Sequence, residues 1–491
     1  MKAPPAAVYT AQQVRELDRR AIVECGIPGY ELMTRAGHAT LNALRARWGG
    51  ARSLCVLCGP GNNGGDGYVV ARVARAQGLR VAVVALSDPT QLQGDARKAY
   101  QEFAAAGGRC EPWSPRVLEV DVIVDAIFGI GLAREVAGPV LDVMQALRAA
   151  HRPVVAVDIP SGLHADTGAV LGAAVRADMT VTFIGRKLGF YLGAGPDHVG
   201  QLVFDDLAVP AQAYAAVPAS ADLITPSVVA QALPRRPRTA HKGRHGHVLV
   251  VGGGPGMAGA ARLAGDAALR AGAGLVTVAT HPSSLVALAG RPELMSVAVE
   301  RVADLVPALE RATVVAVGPG LGQSEWARAV HAAVLGAHMP TIVDADALNL
   351  LGGSIVHRDD WVLTPHPGEA ARLLDTSNDA VQGDRLGAAR ALQLRYGGMA
   401  VLKGAGTIVQ GPSGLPAICD RGNPGMAVAG MGDVLTGVIA GIAAQCGNLG
   451  LGARAGVFVH AQAGDLAAAK GERGLLASDV ILQLRQCVNP A

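Results

Sequence analysis

Aromatic side chains and net charge are both scarce in this chain of 491 residues. Phe, Trp and Tyr together make up 3% of the sequence, and the formal net charge is only +3. Proteins that bind single-stranded nucleic acid combine aromatic platforms for base stacking with a strongly basic groove. The composition provides neither feature, so it argues against nucleic acid as a partner.

Uninterrupted apolar segments are also missing. The most apolar long window, residues 426–445, contains Asp433 and several glycines, which argues against a membrane span. The first twenty residues lack the apolar core of a secretion signal, since they carry five charged residues between Arg15 and Arg20. We therefore predict that they form an amphipathic helix of a mature, cytoplasmic protein.

Seven cysteines in a chain of this length do not make a disulfide framework. Cys55 and Cys58 have the C-x-x-C spacing of redox and metal sites, but they lie in the apolar run 53–58, which is typical of a buried strand. Residues three apart in a strand face opposite sides of the sheet. We interpret both as packing residues.

Apolar residues make up half of the chain, which is enough for large buried cores in about two to four domains. Short Val/Ile/Leu-rich strands alternate with helical segments in two series, the pattern of mostly parallel sheets covered on both faces. The predicted strands of the first series are 53–58, 80–86, 121–126, 154–158 and 179–184, with a helix at 68–77. Those of the second are 247–251, 274–280, 313–317, 341–344, 361–364, 400–402 and 407–410, followed by helices over 426–486.

The segment 210–237 separates the two series. It is rich in Ala, Pro, Ser and Arg and shows no clear strand, which is typical of a linker with one short helix. The sequence therefore predicts one domain over residues 1–215 and another over 223–491. The first is expected to be a Rossmann-like three-layer α/β domain. The second, with strands first and helices last, resembles the ribokinase-like α/β architecture.

A histidine-rich segment, 241–247, opens the second series. It has no cysteine or carboxylate nearby, and Lys242 and Arg244 would repel a cation, so a metal site is not expected. We interpret it as a basic loop that faces phosphates.

Polar or glycine-rich segments follow three predicted strands of the first series. Five glycines lie within 59–67, a cost in backbone entropy that indicates close approach of backbone to a ligand. Asp125 and Asp158 come at the ends of two further strands. Because carboxyl ends of parallel strands line the ligand crevice of an open sheet, these segments should converge. Asn63, Asp125 and Ser161 would supply hard oxygen ligands for an alkali or alkaline-earth cation.

Asp158 is then the best-placed acid or base of the first domain. The alternative is that Asp125 and Asp158 are helix caps.

These segments, together with 9–13 and 32–37, resemble the NAD(P)H-hydrate epimerase domain. The resemblance implies a hydrated nicotinamide nucleotide as substrate, a bound potassium ion, and interconversion of the R and S epimers at C6 of the hydrate ring. It implies potassium ligands at Asn63, Asp125 and Ser161 and a substrate-contacting, proton-moving role for Asp158. Lys187 would either assist or be structural. The implied substrate-binding residues are Asn62, Asn63, Gly64, Gly65, Asp66, Gly129, Ile130, Gly131, Leu132, Ala133, Arg134, Glu135 and Asp158.

In the second series, residues 425–437 place a carboxylate directly after a glycine turn that opens into an apolar helix. The backbone N–H groups of 429–433 would point at a phosphate, and the helix dipole would add to the attraction. Asp433 would lie where a hydroxyl meets that phosphate. An ordinary acidic helix cap is the alternative.

Four more glycine or polar loops come at strand ends, at 252–261, 318–322, 364–369 and 403–407. With the motif at 425–437 they indicate a cleft for phosphoryl transfer. Lys403 and neighbouring backbone would face a nucleotide, the turn 430–432 would form an anion hole, and Asp433 would act as base toward a hydroxyl.

The run of motifs over residues 223–491 is similar throughout to the NAD(P)H-hydrate dehydratase domain. The resemblance implies ADP with Mg²⁺, used to remove the hydrate hydroxyl as phosphate and regenerate the nicotinamide ring. One departure is Val428, which stands where a hydroxyl residue is common. The implied hydrate contacts are Ala260, Gly320, His366 and Asp433, and the implied ADP contacts are Lys403, Gly404, Ala405, Gly406, Thr407 and Gly432.

The leading hypothesis is a bifunctional enzyme that epimerises hydrated NADH or NADPH and dehydrates the S form at the expense of ADP. Catalysis is assigned to Asp158 and Asp433. A ribokinase-like kinase for a vitamin precursor, with a fused nucleotide-binding domain, is the alternative enzyme, and a non-catalytic nucleotide-binding scaffold is a third hypothesis. Small molecules are the expected partners, with no nucleic acid and no membrane, and a homo-oligomer is expected because apolar strand edges and the helix predicted over 8–24 suit a symmetric interface.

Overall fold

The computed structural model describes residues 6–352 and 356–489, and the chain divides into two compact units, residues 1–221 and 222–491. The first five residues of the predicted amino-terminal helix lie outside the described residues. Among the helices of the described ranges, none combines the length and apolar character needed to cross a bilayer.

The first unit is built on a parallel six-stranded sheet in the order β3-β2-β4-β5-β6-β8, and β1 pairs in parallel with β7. Its strands are β1 (Ala7–Tyr9), β2 (Ser53–Cys58), β3 (Arg80–Ala85), β4 (Val122–Ala126), β5 (Val154–Val157), β6 (Met179–Phe183), β7 (Arg186–Lys187) and β8 (Gln201–Asp205). Its helices are α1 (Ala11–Val23), α2 (Gly29–Arg47), α3 (Asn62–Ala76), α4 (Gly94–Ala105), α5 (Pro139–Ala149), α6 (Gly195–His198) and α7 (Ala211–Ala215), with 3-10 turns at Pro89–Gln91, Pro115–Leu118 and Leu188–Phe190.

Apolar side chains cover both faces of this sheet. Cys58 joins a core with α2, α3 and α4 on one face, whereas Cys55 packs with α5 on the other. Both thiols are free and buried, as the spacing of two packing residues in a strand predicted. The result is a three-layer α/β unit, so the predicted fold class is confirmed here.

The second unit carries a ten-stranded sheet in the order β12-β11-β10-β13-β14-β15-β16-β17-β18-β9, parallel except where β17 pairs with β16 and β18. Its strands are β9 (Ala221–Leu223), β10 (His247–Val251), β11 (Leu275–Thr280), β12 (Met295–Ala298), β13 (Val314–Val317), β14 (Thr341–Val343), β15 (Trp361–Leu363), β16 (Met399–Leu402), β17 (Thr407–Gln410) and β18 (Ala417–Cys419).

Helices cover both faces of the second sheet as well. On one face α9, α16, α17 and α18 form a core with the central strands, and α11 and α15 pack against strands elsewhere in the sheet. The helices are α8 (Ser227–Ala232), α9 (Ala258–Arg270), α10 (Val302–Leu309), α11 (Glu325–Gly336), α12 (Ala345–Leu351), α13 (Pro367–Leu374), α14 (Asn378–Gly383), α15 (Arg385–Tyr396), α16 (Met431–Cys446), α17 (Leu449–Ala467) and α18 (Ala477–Cys487), with 3-10 turns at Lys242–His245, Pro282–Leu288, Pro424–Met426 and Ala468–Lys470.

Several predicted elements need correction. Helix α1 begins only at Ala11, because residues 7–9 form a strand. The segment 210–237 contains two short helices and strand β9 rather than a single helix. Three-residue strands such as β9 are too short to show a periodic pattern, so pairing with a neighbour defines them.

Candidate active sites

A cavity of about 740 Å³ opens at the carboxyl ends of β2, β4 and β5 in the first unit. The three segments predicted to converge do so, since Asn62, Phe128 and Asp158 all line it. Helix α1 contributes further lining residues, among them Asp18. The volume lies in the range of sites that enclose a small-molecule ligand.

The glycine-rich segment 59–67 is not a loop throughout, because helix α3 begins at Asn62. Its glycines allow close packing of backbone. A Cβ at Gly59 would lie 1.8 Å from the carbonyl oxygen of Ile127, and one at Gly64 would lie 2.1 Å from the carbonyl oxygen of Gly59. A Cβ at Gly65 would lie 2.7 Å from Cε of Met33. The predicted start of this helix at residue 68 was therefore wrong, since packing overrides the low helix propensity of glycine.

Asn63, Asp125 and Ser161 form a buried polar cluster beside the cavity. Asp125 accepts hydrogen bonds from Ser161 Oγ at 2.6 Å and from Ser161 N at 2.8 Å, and Ser161 Oγ in turn accepts one from Phe128 N. Asn63 Nδ2 is buried without a partner among the described residues. Burial raises the pKa of Asp125 to about 6, against the lowering effect of the Ser161 hydrogen bonds. A cluster of hard oxygens around a poorly compensated carboxylate suits a cation.

Asp158 follows strand β5 in a left-handed backbone conformation, with φ of 65°. Its Oδ1 pairs with the ammonium of Lys187, which is fully buried and also donates to Thr182 Oγ1 at 2.7 Å. A non-glycine residue with positive φ is uncommon and is frequent at functional sites. No helix begins at Asp125 or Asp158, so the helix-cap alternative is excluded for both. Lys187 orients and compensates the carboxylate of Asp158.

Most of the predicted substrate residues line the cavity. Gly64, Gly65 and Glu135 do not, because both glycines are buried in packing contacts and Glu135 is exposed outside the lining. Sequence reasoning gave no role to Asp18 and Arg15, although the spacing of apolar residues in α1 could have placed both on one side of that helix. The predicted residues in the lining are Asn62, Asn63, Asp66, Gly129, Ile130, Gly131, Leu132, Ala133, Arg134 and Asp158.

In the second unit, helix α16 begins exactly where the glycine turn predicts. Gly430 is its N-cap residue with φ of 87°, and it provides no side-chain cap. Asp433 lies in the first turn, which is the positive end of the helix dipole. Within the described residues the carboxyl group of Asp433 accepts no hydrogen bond from the backbone at the start of α16, so the cap alternative does not hold. Burial, and then the negative charge of Asp344, raise the pKa of Asp433 to about 7.

Asp344, at the end of β14, is the charged centre of this site. It accepts hydrogen bonds from Lys403 Nζ at 2.7 Å, Thr436 Oγ1 at 2.8 Å and Thr364 Oγ1 at 2.8 Å. Burial alone would raise the pKa of Asp344, but the charge of Lys403 and these hydrogen bonds lower it below its ordinary value. The negative charge of the neighbouring Asp344 therefore makes the carboxyl group of Asp433 easier to protonate, which raises its pKa.

The sequence predicted that Lys403 faces a nucleotide, but its ammonium group lies beside two carboxylates. Its ammonium is occupied by Asp344 and lies 3.8 Å from Glu369 Oε2, and those charges raise its pKa although burial opposes this. A Cβ at Gly432 would lie 3.3 Å from Lys403 Nζ, so the lysine abuts the turn before Asp433. The sequence does not single out Asp344 or Glu369 as site residues. They follow different strands, and only the fold brings them together.

His366 caps helix α13. Its Nδ1 accepts hydrogen bonds from the N–H groups of Gly368 and Glu369, so the ring proton lies on Nε2, which faces Glu369 Oε1 at 3.5 Å. Burial and the charge of Lys403 lower the pKa of His366. The side chain is 52% exposed and is free to donate from Nε2 to a ligand.

The loops 252–261 and 318–322 interlock at the carboxyl ends of β10 and β13. Gly254 N donates to Gly320 O at 2.7 Å, and a Cβ at Gly320 would lie 3.0 Å from Cβ of Ala260. Gly318, with φ of 124°, lies against the backbone of Asp344. Ala260 and Gly320 are thus brought together as predicted, in a position set by backbone contacts.

The predicted nucleotide segment 403–407 is the turn between β16 and β17. Gly404 and Ala405 are exposed, and Thr407 Oγ1 donates to Gly404 O at 2.8 Å. The buried guanidinium of Arg385 lies under the turn and donates to Lys403 O at 3.2 Å. Exposed backbone groups of this turn, rather than the ammonium of Lys403, are available to a ligand. Val428 is also exposed, at 42%.

The histidine-rich segment does not belong to this site. Residues 242–245 form a 3-10 turn before β10, and a Cβ at Gly246 would lie 2.4 Å from the carbonyl oxygen of Ala444, near the carboxyl end of α16. Asp433 lies at the amino end of that helix. The prediction that this segment faces the phosphates of the site was wrong, because it precedes a strand and the site residues follow strands.

Comparisons with known proteins agree with this division. Residues 29–189 match the family model of the YjeF-related protein N-terminus, and residues 248–486 match the model of NAD(P)H-hydrate dehydratase. The chain resembles a ribokinase-like superfamily protein from Enterococcus faecalis, with 30% identity, a TM-score of 0.50, and coverage of 54% of this chain and 94% of that one. The ribokinase-like fold predicted for the second unit is thereby confirmed.

Full-length relatives match both units together. A bifunctional NAD(P)H-hydrate repair enzyme from Coxiella burnetii is 48% identical, over 98% of this chain and 99% of that protein. One from Escherichia coli is 44% identical, over 99% of this chain and 95% of that protein. The chain therefore belongs to the family of bifunctional NAD(P)H-hydrate repair enzymes.

Proposed function

We propose that this chain repairs hydrated NADH and NADPH in two steps. The first unit interconverts the R and S epimers of the hydrate, and the second dehydrates the S epimer at the expense of ADP. The proposal assigns the epimerase activity to the predicted domain of residues 1–215 and the dehydratase activity to the predicted domain of residues 223–491. The observation that carries it is the placement of Asp433 beside the Asp344–Lys403 ion pair at the amino end of a helix.

In the first unit the cavity at the carboxyl ends of β2, β4 and β5 holds the hydrate. Its nucleotide part lies along the start of α3 and the loop 129–134, which provide backbone N–H groups. Asp158 contacts the hydrated ring, and the buried Lys187 pairs with that carboxylate and orients it. These roles suit the residues that line the cavity.

A potassium ion is the proposed occupant of the Asn63, Asp125 and Ser161 cluster. The fully buried carboxylate of Asp125 has no cationic side chain to compensate it among the described residues, which favours a bound cation. When bound, the ion would fix the loop 127–131 against the end of β5. Replacement of potassium by tetramethylammonium should lower the epimerase rate and leave dehydration of pure S hydrate unchanged.

In the second unit Asp433 acts as the base toward the C6 hydroxyl of the hydrate as that oxygen accepts a phosphoryl group from ADP. The N–H groups at the start of α16 face the transferred phosphate. Loss of phosphate from C6 and of a proton from C5 then restores NADH or NADPH. His366 donates from Nε2 to the hydrate, Ala260 and Gly320 shape its ring site, and the exposed turn 403–407 with Gly432 contacts ADP and its Mg²⁺.

The test is recovery of reduced-nicotinamide absorbance from mixed hydrate epimers supplied with ADP and Mg²⁺. Complete recovery is expected, with release of AMP and inorganic phosphate. Recovery limited to the S portion would remove the epimerase from the proposal, and no recovery would remove the dehydratase.

The same assay distinguishes repair from a vitamin-precursor kinase. A kinase would consume ATP and accumulate a stable phosphorylated alcohol, whereas the proposed reaction leaves no phosphorylated nicotinamide product. A homo-oligomeric assembly and a cytoplasmic location stay predictions of the sequence, to be checked by light scattering and by cell fractionation.

A further inference from the structure

Four carboxyl groups line the cavity of the first unit, those of Asp18, Asp66, Asp95 and Asp158, and their surroundings differ. Asp158 is paired with the buried Lys187. Asp18 from α1 and Asp66 from α3 also face the cavity. Within the described residues, neither of these two carboxyl groups forms a salt bridge or accepts a side-chain hydrogen bond. Asp158 therefore has a cation paired directly with it, whereas the described residues provide no such partner for Asp18 or Asp66.

Helix α1 places Asp18 in one wall of the cavity. Val14, Asp18 and Ile22 recur at four-residue intervals and all line the cavity, so they share one face of the helix. Arg15 Nη2 donates to Ile130 O at 3.0 Å and ties α1 to the loop at the mouth. Asp158 comes from the end of β5, and its charge acts on Asp18. One cavity therefore brings together two interacting carboxyl groups from different elements of the fold.

Epimerisation at C6 needs groups that can give and accept a proton. The C6 carbon of the hydrate carries a hydroxyl and is bonded to the ring nitrogen N1. When the C6–O bond breaks, the N1 lone pair forms a C6=N1 double bond, and the departing oxygen needs a proton to leave as water. Water must then add to the other face of C6 and lose a proton.

We propose that Asp18 is the proton donor of the epimerase and works as a pair with Asp158, an inference that rests on the proposed function. In the R-to-S direction Asp18 gives its proton to the leaving oxygen, and water is released. A second water bonds to the opposite face of C6 and gives its proton to Asp158. Asp158 then holds the proton and can give it to the leaving oxygen in the S-to-R direction. Before another R-to-S turnover, the proton returns to Asp18 through water in the cavity.

The charges around Asp18 favour this assignment. Burial, and then the charge of Asp158, raise the pKa of Asp18 to about 7, while Lys187 opposes the shift. An acid with a pKa near the working pH is the most effective proton donor. Burial, and then the charges of Asp158 and Asp18, raise the pKa of Asp66 well above its ordinary value. The charged or titratable groups that face Asp18 or the same cavity are Arg15, Asp66, Asp95, Arg134, Asp158, Lys187 and Tyr214.

The experiment compares Asp18→Asn, Asp18→Glu and Asp66→Asn with the unchanged full-length chain. Epimerisation of pure R hydrate is followed without nucleotide by chiral chromatography, across a range of pH. Asp18→Asn should lower kcat by about 100-fold or more and leave KM within a few-fold, as expected for loss of a general acid. The unchanged enzyme should lose activity as pH rises through about 7, because Asp18 must be protonated, and the remaining activity of Asp18→Asn should lack that limb.

Controls separate this role from folding. Glu16→Gln changes an exposed residue of the same helix and should keep the full rate. Asp18→Glu should recover part of the rate lost in Asp18→Asn and restore the high-pH limb. Dehydration of pure S hydrate with ADP, together with thermal unfolding, shows that each variant is intact.

Solvent labelling tests the water-loss step. In water enriched in oxygen-18, each R-to-S conversion should place one solvent oxygen at C6. Absence of label, full activity of Asp18→Asn, or a larger loss in Asp66→Asn would each overturn the inference while leaving the epimerase function standing. Absence of epimerisation by the unchanged chain would instead overturn the proposed function, and this inference with it.

Discussion

The two units share an electrostatic arrangement but build it on different backbones. Each pairs a buried lysine with an aspartate, Lys187 with Asp158 and Lys403 with Asp344, and each keeps another carboxyl group nearby with a raised pKa. In the first unit the paired aspartate itself faces the ligand cavity, and its backbone has a positive φ. In the second the unpaired Asp433 has regular helical backbone at a helix start.

The two units obtain a usable base in different ways. In the first, the lysine pairs directly with the base at the end of a strand. In the second, the lysine pairs with a neighbouring buried aspartate, Asp344, whose charge adds to the effect of burial in raising the pKa of Asp433. A raised pKa near 7 suits a group that gains and loses a proton at neutral pH.

Asp433→Ala should separate the activities of the two units most strongly. It should abolish ADP-dependent recovery of NADH from S hydrate, by about 1,000-fold or more if Asp433 is the base and helps position the hydroxyl. Conversion of R into S hydrate should stay at the original rate. A variant that retains recovery would show that the base lies elsewhere, and the comparison between the halves would fail.

Glycine substitutions should damage one half at a time. A Cβ in Gly59→Ala would lie 1.8 Å from Ile127 O, and one in Gly318→Ala would lie 1.8 Å from Asp344 O. Forced shifts of this kind cost about 1–3 kcal/mol or more. The first variant should lose epimerase activity and the second dehydratase activity. Gly50→Ala and Gly336→Ala meet no atom within 4 Å and should change neither rate.

Lys403→Met should lower the stability of the second unit. It would leave Asp344 buried, at 1% exposure, without its cation, a change that typically costs about 3–5 kcal/mol. Urea unfolding at neutral pH measures this, with the exposed Lys470→Met as the matched control. Equal midpoints for the two variants would contradict the description of Lys403 as the partner of Asp344.

The smallest expected effect is a shift in pH dependence. Dehydration by the unchanged enzyme should fall as pH drops through about 7, because Asp433 must be ionised to act as base. Asp344→Asn removes the negative charge that raises the Asp433 pKa, so the low-pH limb of the pH–rate profile should move to lower pH. The exposed Asp359→Asn should leave it in place. A limb that moves to higher pH in Asp344→Asn would contradict the assignment.

Local signals in the sequence predicted much of this structure. Strands such as 53–58 and 247–251 were predicted with their observed bounds, and Gly430 with Asp433 fixed the start of α16. Both the apolar run and the helix-start motif are contained within a few residues. The predictions that failed needed tertiary information: α3 begins early because Gly59 and Gly64 pack together, and Asp344 meets Lys403 across 59 positions of sequence.

Asp18 shows the same limit within a well-predicted helix. From the sequence alone, the charge of Asp18 argues only against a secretion signal, since nothing in the helical pattern reveals which groups α1 faces. The cavity that it lines is formed by segments from residue 14 to residue 207. The resemblance to known families supplied motifs, and the contacts between motifs came from the fold.

The most direct test of two independent sites in one chain is complementation in a mixture. Asp158→Asn and Asp433→Ala proteins would each be given pure R hydrate with ADP and Mg²⁺, separately and then together, and recovery of reduced-nicotinamide absorbance would be compared with the uncatalysed rate. We expect no enzymatic recovery from either variant alone and full recovery from the mixture, because one supplies the epimerase and the other the dehydratase. A mixture that recovers no more than the separate variants would contradict the account.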